Sequence, residues 1–222
     1  MARKRAAVLI SGRGSNMTAL AAAADDPAYP AEIALVVSNR SDAAGLAVAR
    51  ARGIATAVVD HAGHGKDRAA FERTLQSVLE RHAIEIVCLA GFMRLLTPYF
   101  VGLWDGRMLN VHPALLPAFK GLDTHERALA AGVRIHGATV HFVVPEMDSG
   151  PIVIQAAVPV LDDDTPDSLA ARVIKAEHRI YPLALQWLAQ GRLHRVGGRC
   201  LVDGVAGAET MLIHPQAGSG EK

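Results

Sequence analysis

Between residues 6 and 89 the chain alternates short apolar runs with longer amphipathic stretches, and this rhythm restricts the fold more than any other feature. Ala6–Ile10, Ile33–Val37, Thr56–Val59 and Ile84–Leu89 read as strands, with Met17–Ala24, Ala43–Arg52 and Arg68–Arg81 as the helices between them. On the last helix Phe71, Leu75, Val78 and Leu79 share one face. Ile84–Leu89 is an apolar run of the kind buried on both faces of a sheet. Strands and helices in this order argue a parallel sheet wrapped on both sides.

After Gly91 the rhythm changes. Arg107–Val111 reads as a strand entering a Pro-rich loop from Pro113 to Lys120, and Thr124–Ala131 as a short helix. His136–Val144 and Ile152–Val160 are β runs joined by the loop Pro145-Glu-Met-Asp-Ser-Gly-Pro151. Asp167–Gln190 reads as one long helix with Glu177 in its middle, and Leu193–Val196 with Arg199–Val202 as a hairpin turned at Gly197-Gly198. The expected fold class is a single α/β domain. It has a mostly parallel twisted sheet with helices on both faces, a Rossmann-like N-terminal half, and C-terminal strands with a long helix. The domain covers residues 1–205, and the Gly- and Ala-rich segment 206–222 reads as a frayed tail.

Composition excludes several classes of protein. Lys and Arg number 23 against 22 Asp and Glu, so charge gives no reason to invoke nucleic acid or a membrane surface. No apolar stretch approaches the roughly 20 residues that span a bilayer. The start, Met1-Ala-Arg-Lys-Arg, is basic before an apolar run, as in a signal peptide. That run ends after Ile10 at Ser11-Gly12, too soon for a secretory core, and a first strand is the better reading. The two cysteines, Cys88 in an apolar run and Cys200, make no disulfide framework, which fits a cytoplasmic chain.

Gly12-Arg13-Gly14-Ser15-Asn16 lies between a strand and a helix, where backbone N–H groups and the helix dipole favour an anion. Ser15 or Asn16 can cap the helix and donate to a phosphate oxygen. The third glycine of a dinucleotide fingerprint would fall at Met17, and the second strand ends in Ser38-Asn39-Arg40 without an acidic residue. The turn therefore suits one phosphate better than a dinucleotide. A tight strand-to-helix turn with an ordinary cap is the competing reading.

Asn110-Val-His112-Pro113 is followed 36 residues beyond His112 by Asp148. An amide, an imidazole and a carboxylate can move an acyl group without a metal or a covalent intermediate. The amide donates to an oxygen that becomes anionic, the imidazole carries a proton, and the carboxylate orients the imidazole or a water. Each residue also has a commoner structural use, since Asn and Asp often cap backbone groups in loops. Ten histidines invite a metal, but His136 and His141 are five apart on a strand and face opposite ways. No Cys or His-Glu spacing supports a site for one, although His141 is placed to line the catalytic region. His61 and His64 read as exposed loop residues.

Several motifs stand together in order and spacing: Ile10-Ser-Gly-Arg-Gly-Ser-Asn16, Leu89-Ala-Gly-Phe-Met-Arg-Leu-Leu96, Asn110-Val-His-Pro-Ala-Leu-Leu-Pro117, His136-Gly-Ala-Thr-Val-His-Phe-Val143, Met147-Asp-Ser-Gly-Pro-Ile-Val-Ile-Gln155 and Ala176-Glu-His178. Together they resemble the phosphoribosylglycinamide formyltransferase family over roughly residues 6 to 203. The resemblance implies transfer of a formyl group from 10-formyltetrahydrofolate, a co-substrate, to the amine of phosphoribosylglycinamide in purine synthesis. It implies Asn110, His112 and Asp148 as the catalytic set, and Gly14, Ser15, Asn16 and Glu177 as ribonucleotide contacts. It also implies a folate pocket of Met93, Arg94, Leu95, Leu96, Asn110, Val144, Pro145, Glu146, Met147 and Asp148, with Arg68 nearby. Its partners would be these small molecules, with no metal, and the chain a monomer or weak homodimer. The chain departs from many members at Asp123, where they carry His, and no role is assigned to it.

Three other functions compete. A formyltetrahydrofolate deformylase would use the same residues with water, but such relatives carry an extra N-terminal domain, whereas this chain opens directly on its first strand. Transfer to an aminoacylated tRNA accompanies a further C-terminal domain in relatives. A non-enzymatic nucleotide-binding module would leave Asn110, His112 and Asp148 unexplained together.

Overall fold

The computed structural model describes residues 2–65, 67–205, 207 and 212–215. A seven-stranded sheet has the order β3-β2-β1-β4-β5-β6-β7. Its strands are β1 Lys4–Ile10, β2 Ala31–Ser38, β3 Ala55–Val58, β4 Ile86–Leu89, β5 Met108–His112, β6 Ile135–Phe142 and β7 Ile152–Pro159. The first five run parallel, while β6 pairs antiparallel with β5 and β7 antiparallel with β6. The mostly parallel sheet, its Rossmann-like first half and the hairpin of β8 Leu193–Val196 with β9 Arg199–Val202 follow the sequence pattern.

The two cores show why β1 is apolar from Ala6 to Ile10. Ala6, Val8 and Ile10 enter one core with α1 Ser15–Ala24, α2 Ala44–Ala51 and α6 Pro166–Ala189. Ala7 and Leu9 point the other way, into a core with Phe71, Leu75, Val78 and Leu79 of α3 Arg68–Arg81. Successive strand side chains face opposite sides, so a strand with helices on both faces has no polar position to spare. Each fully buried Leu or Ile contributes about 1.5–3 kcal/mol. Cys88 is likewise wholly buried in β4, and burial pushes its thiol up to about 12.

Among the described residues, the sequence pattern omits one α-helix and a short 3-10 turn at His61–His64. Residues 98–103 form α4 Pro98–Leu103, whose Phe100 and Val101 join the second core. Its signal is the pair Thr97-Pro98: the Thr97 hydroxyl accepts from the Phe100 N–H, and proline suits a first helical turn. The helix is too short to show a period. α6 begins at Pro166, one residue before the expected start, behind a reciprocal cap between Thr165 and Ser168. α5 Thr124–Ala130 follows Asp123, whose left-handed backbone (φ 55°) suits Asp better than most residues. Most of the segment read as a tail lies outside the described residues. Within 212–215, the His214 ring is 3.0 Å from the Val160 carbonyl oxygen.

Candidate active site

Ligands of open α/β sheets sit beyond the carboxyl ends of the strands where the strand order reverses. Here that point lies between β1 and β4. A cavity of about 400 Å³ opens there, walled by Ser11 to Asn16 after β1, Asn39 and Arg40 after β2, and Ala90, Gly91, Met93 and Arg94 after β4. Gly14 turns into α1 with a left-handed backbone (φ 75°, ψ 31°). A Cβ there would stand 3.1 Å from the Cα of Gly45, so both conformation and space select glycine.

The cap expected from Ser15 or Asn16 is not formed. Gly14 occupies the N-cap position without a side-chain hydrogen bond, which leaves the first N–H groups of α1 facing the cavity. Asn16 turns inward instead, and its Nδ2 donates to Glu177 Oε2 at 2.6 Å. Burial pushes the Glu177 carboxyl up, against the opposing effect of that hydrogen bond. Glu177 therefore stands one hydrogen bond behind the cavity wall, and Asn16 Oδ1 is buried without a partner among the described residues. His61, read as an exposed loop residue, is half-buried in the same wall, its Nδ1 2.8 Å from the Asn39 carbonyl oxygen. Nothing local in the sequence marked Asn39, Arg40 or His61, because separate loops bring them to the anion turn.

At the end of β5, Asn110 and His112 sit two residues apart and so face the same side of the sheet. His112 Nε2 donates to the Phe119 carbonyl at 2.9 Å, which turns Nδ1 toward Asp148 Oδ2 at 3.5 Å. Asp148 Oδ2 also accepts the Gly121 N–H at 2.9 Å. Asp148 (φ 50°), Phe119 (φ 53°) and Asp123 (φ 55°) all hold left-handed backbones around this point. Such conformations persist only where neighbouring structure over-determines them, and they gather at working sites. Gly150 shows one source of that constraint: a Cβ there would stand 1.8 Å from the Phe142 carbonyl oxygen. The loop carrying Asp148 thus docks backbone to backbone on β6.

His141 lies directly across from Asn110 in the β5–β6 pairing. Its Nδ1 donates to the Phe142 carbonyl at 2.9 Å, so its Nε2 offers a lone pair to Asn110 Nδ2 at 3.2 Å. Burial lowers the His141 pKa, which keeps that lone pair in place. His136 points to the other side of the sheet, as its spacing implies, against Phe119 and His125. Among the described residues, no group of three His, Cys, Asp or Glu is arranged to hold a metal ion. No described helix is long and apolar enough to cross a membrane.

Two polar side chains that the sequence left unmarked, the buried Thr139 and the exposed Gln155, support the loop after His112. Thr139 Oγ1 donates to the Ala114 carbonyl and accepts the Leu116 N–H, and Gln155 Nε2 donates to the Leu116 carbonyl at 2.9 Å. They are legible only as polar positions in otherwise apolar strands.

The segment 92–97 runs along the mouth of the cavity. Met93 and Leu95 are 67% and 62% exposed, while Leu96 packs against the second core. Exposure at this level excludes a core role for Met93 and Leu95. Thr97 is clasped by the buried Glu72 carboxylate, which accepts the Thr97 N–H at 2.6 Å, and Phe92 stacks on Phe71. Val144 is half-buried, and Pro145, Glu146 and Met147 are exposed on the loop that ends at Asp148. Arg68 is exposed at the first turn of α3 and does not line the cavity.

A parallel sheet with an anion-suited turn at its reversal point, and an amide, imidazole and carboxylate at the neighbouring strand ends, defines a group-transfer enzyme of the formyl transferase type. The chain belongs to the formyl transferase family, which matches residues 4–185. Within that family it is 45% identical to the phosphoribosylglycinamide formyltransferase of Escherichia coli K12 over 197 residues, covering 89% of this chain and 92% of that one. It is 50% identical over 202 residues to the trifunctional purine biosynthetic protein adenosine-3 of Bos taurus, covering 90% of this chain and 20% of the relative. The chain thus spans about a fifth of that longer protein. The solved glycinamide ribonucleotide transformylase 1 of Symbiobacterium toebii superposes with a TM-score of 0.87 at 43% identity, over 90% of this chain and 94% of that one. A formyltetrahydrofolate deformylase from Pseudomonas syringae, at 23% identity and a TM-score of 0.84, shares the fold alone.

Proposed function

We propose that this chain transfers the formyl group of 10-formyltetrahydrofolate to the amine of 5-phosphoribosylglycinamide, a step of purine synthesis in the cytoplasm. The observation that carries the reading is the convergence of Asn110, His112 and Asp148 around the end of β5, two strands along the sheet from a glycine turn suited to an anion. The substrate phosphate sits against the N–H groups of Gly14, Ser15 and Asn16. Glu177, through Asn16, fixes the ribose end. The folate lies along Met93, Arg94, Leu95 and Leu96, with its pterin against Val144 to Asp148 and its anionic tail toward Arg68. The catalytic domain is residues 1–205, acting as a monomer or weak homodimer.

The chemistry follows from the geometry. The glycinamide nitrogen attacks the formyl carbon, forming a C–N bond and turning the carbonyl oxygen into an anion. Asn110 Nδ2 carries two hydrogens: one goes to His141, and the other is left for that anion. His112 Nε2–H is committed to Phe119, so Nδ1 is the nitrogen that exchanges a proton. Protonated, it donates to the oxyanion, with Asp148 balancing the charge on the ring. The attacking amine loses its proton and N10 of the folate gains one as the C–N10 bond breaks. The products are the formylated ribonucleotide and tetrahydrofolate.

The test is folate release from 10-formyltetrahydrofolate by the purified protein, with and without glycinamide ribonucleotide. Transfer requires the ribonucleotide and yields its formylated product. Equal release in its absence identifies a hydrolase and rejects the proposal.

A further inference from the structure

At Ser11 the phosphate turn, the residue after β2 and the 92–97 segment meet. Its backbone N–H donates to the Gly91 carbonyl at 3.1 Å. Its Oγ accepts the Met93 N–H at 2.8 Å. With that lone pair used, the hydroxyl proton goes to Asn39 Oδ1 at 2.5 Å. The bond fixes the Asn39 amide so that its Nδ2 faces His61 Nδ1 at 3.1 Å, and Asn39 is 3% exposed. A buried amide whose oxygen is held by a hydroxyl proton does not rotate cheaply. One hydroxyl therefore ties together loops that follow three different strands.

We propose that Ser11 is a positioning residue, whose hydroxyl sets the distance between the anion-binding turn and the wall formed by Met93 to Leu96. The proposal rests on reading those two elements as the ribonucleotide and folate sites. If each substrate is held by a different loop, the nitrogen and the formyl carbon meet only as accurately as the loops are joined. The segment 92–97 has no regular secondary structure. Its side-chain ties at the two ends are Ser11 on Met93 and Glu72 on Thr97. Removing the first tie releases the half of the segment that faces the phosphate turn. Neither substrate loses a direct contact, so the effect falls on their mutual placement, where an error of about 1 Å costs up to roughly 100-fold in rate.

The experiment compares Ser11→Ala with Ser11→Thr and the unaltered protein. It measures kcat for formyl transfer, and separately the dissociation constants of glycinamide ribonucleotide and of tetrahydrofolate by calorimetry. Ser11→Ala should lower kcat about 10- to 100-fold while each dissociation constant moves by less than about threefold. Ser11→Thr, which keeps the hydroxyl, should recover most of the loss. If Ser11→Ala fails to fold by its thermal melt, Ser11→Cys takes its place, with nearly the same shape and only weak hydrogen bonding. A normal kcat in the hydroxyl-free variant overturns the proposal. So does a loss carried wholly by one dissociation constant, or one that threonine does not restore. An unaltered protein that shows no ribonucleotide-dependent transfer rejects the functional reading itself, and this proposal with it.

Discussion

His112 Nδ1 and Asp148 Oδ2 are 3.5 Å apart across the site, although 36 positions, with α5 and β6 between them, separate them in the chain. The carboxylate is held independently of the imidazole, by the Gly121 N–H and by the docking of Gly150 on β6. The pair is therefore set before any ligand arrives. An arrangement whose geometry is fixed in advance needs no reorganisation as charge develops.

Asp148→Asn tests that pair. Asparagine keeps the size, tolerates the left-handed backbone and still accepts the Gly121 N–H, so the fold should be retained. The negative charge facing Nδ1 is lost. Turnover should fall by about 100-fold or more, with a melting temperature close to that of the unaltered protein. Single-turnover kinetics beside a thermal melt check this, and a variant within about threefold of normal turnover would remove Asp148 from the chemistry.

Gly14→Ala tests the anion turn. The new Cβ meets the Gly45 Cα at 3.1 Å, and the φ of 75° is strained for alanine. The left-handed conformation alone costs about 1–2 kcal/mol. Relaxing that strain tilts the first N–H groups of α1 away from the cavity. Ribonucleotide affinity should drop by about tenfold or more while tetrahydrofolate binding is spared, as calorimetry with each ligand alone would read. Equal losses for both ligands would mean that the turn does not discriminate between them.

His136→Phe tests a pH dependence. Both ring nitrogens of His136 are buried without a hydrogen-bond partner among the described residues. Burial, with a smaller effect from His125, lowers its pKa from 6.5 to about 4. The unfolded chain therefore binds a proton between those values that the folded one refuses. The stability this supplies is full above pH 6.5 and is lost as pH falls toward 4. Phenylalanine fills the same space and cannot titrate. Urea melts of the variant should show a shallower fall in stability across that window, and an unchanged slope would exclude His136 as its source.

Much of this was legible in the order of residues. The strand and helix rhythm before Gly91 specified a parallel sheet, because a strand is apolar on both faces wherever helices cover both. The hairpin at Gly197-Gly198 was equally local, needing only a two-residue turn between β runs. α4 was not, since six residues cannot show a period and its cap signal is a single Thr-Pro pair. The cap assigned to Ser15 or Asn16 failed for a different reason. Gly14 takes the N-cap position, so Ser15 and Asn16 already lie inside the first turn of α1, and Asn16 turns its Nδ2 to the buried carboxylate of Glu177 on α6, distant in sequence.

The sequence by itself determined which residue types carry the chemistry, and it determined the strand that presents Asn110 and His112 on one side. Both follow from local rules, a side-chain period of two and the reactivity of each group. Only the tertiary structure decided which nitrogen of His112 faces Asp148, that His141 orients the Asn110 amide, and that Asn39, Arg40 and His61 wall the cavity. These depend on the strand order that sets β1 against both β2 and β4, and β5 against β6. Contacts across strands are fixed by which strands are neighbours, and that is a property of the whole chain's packing.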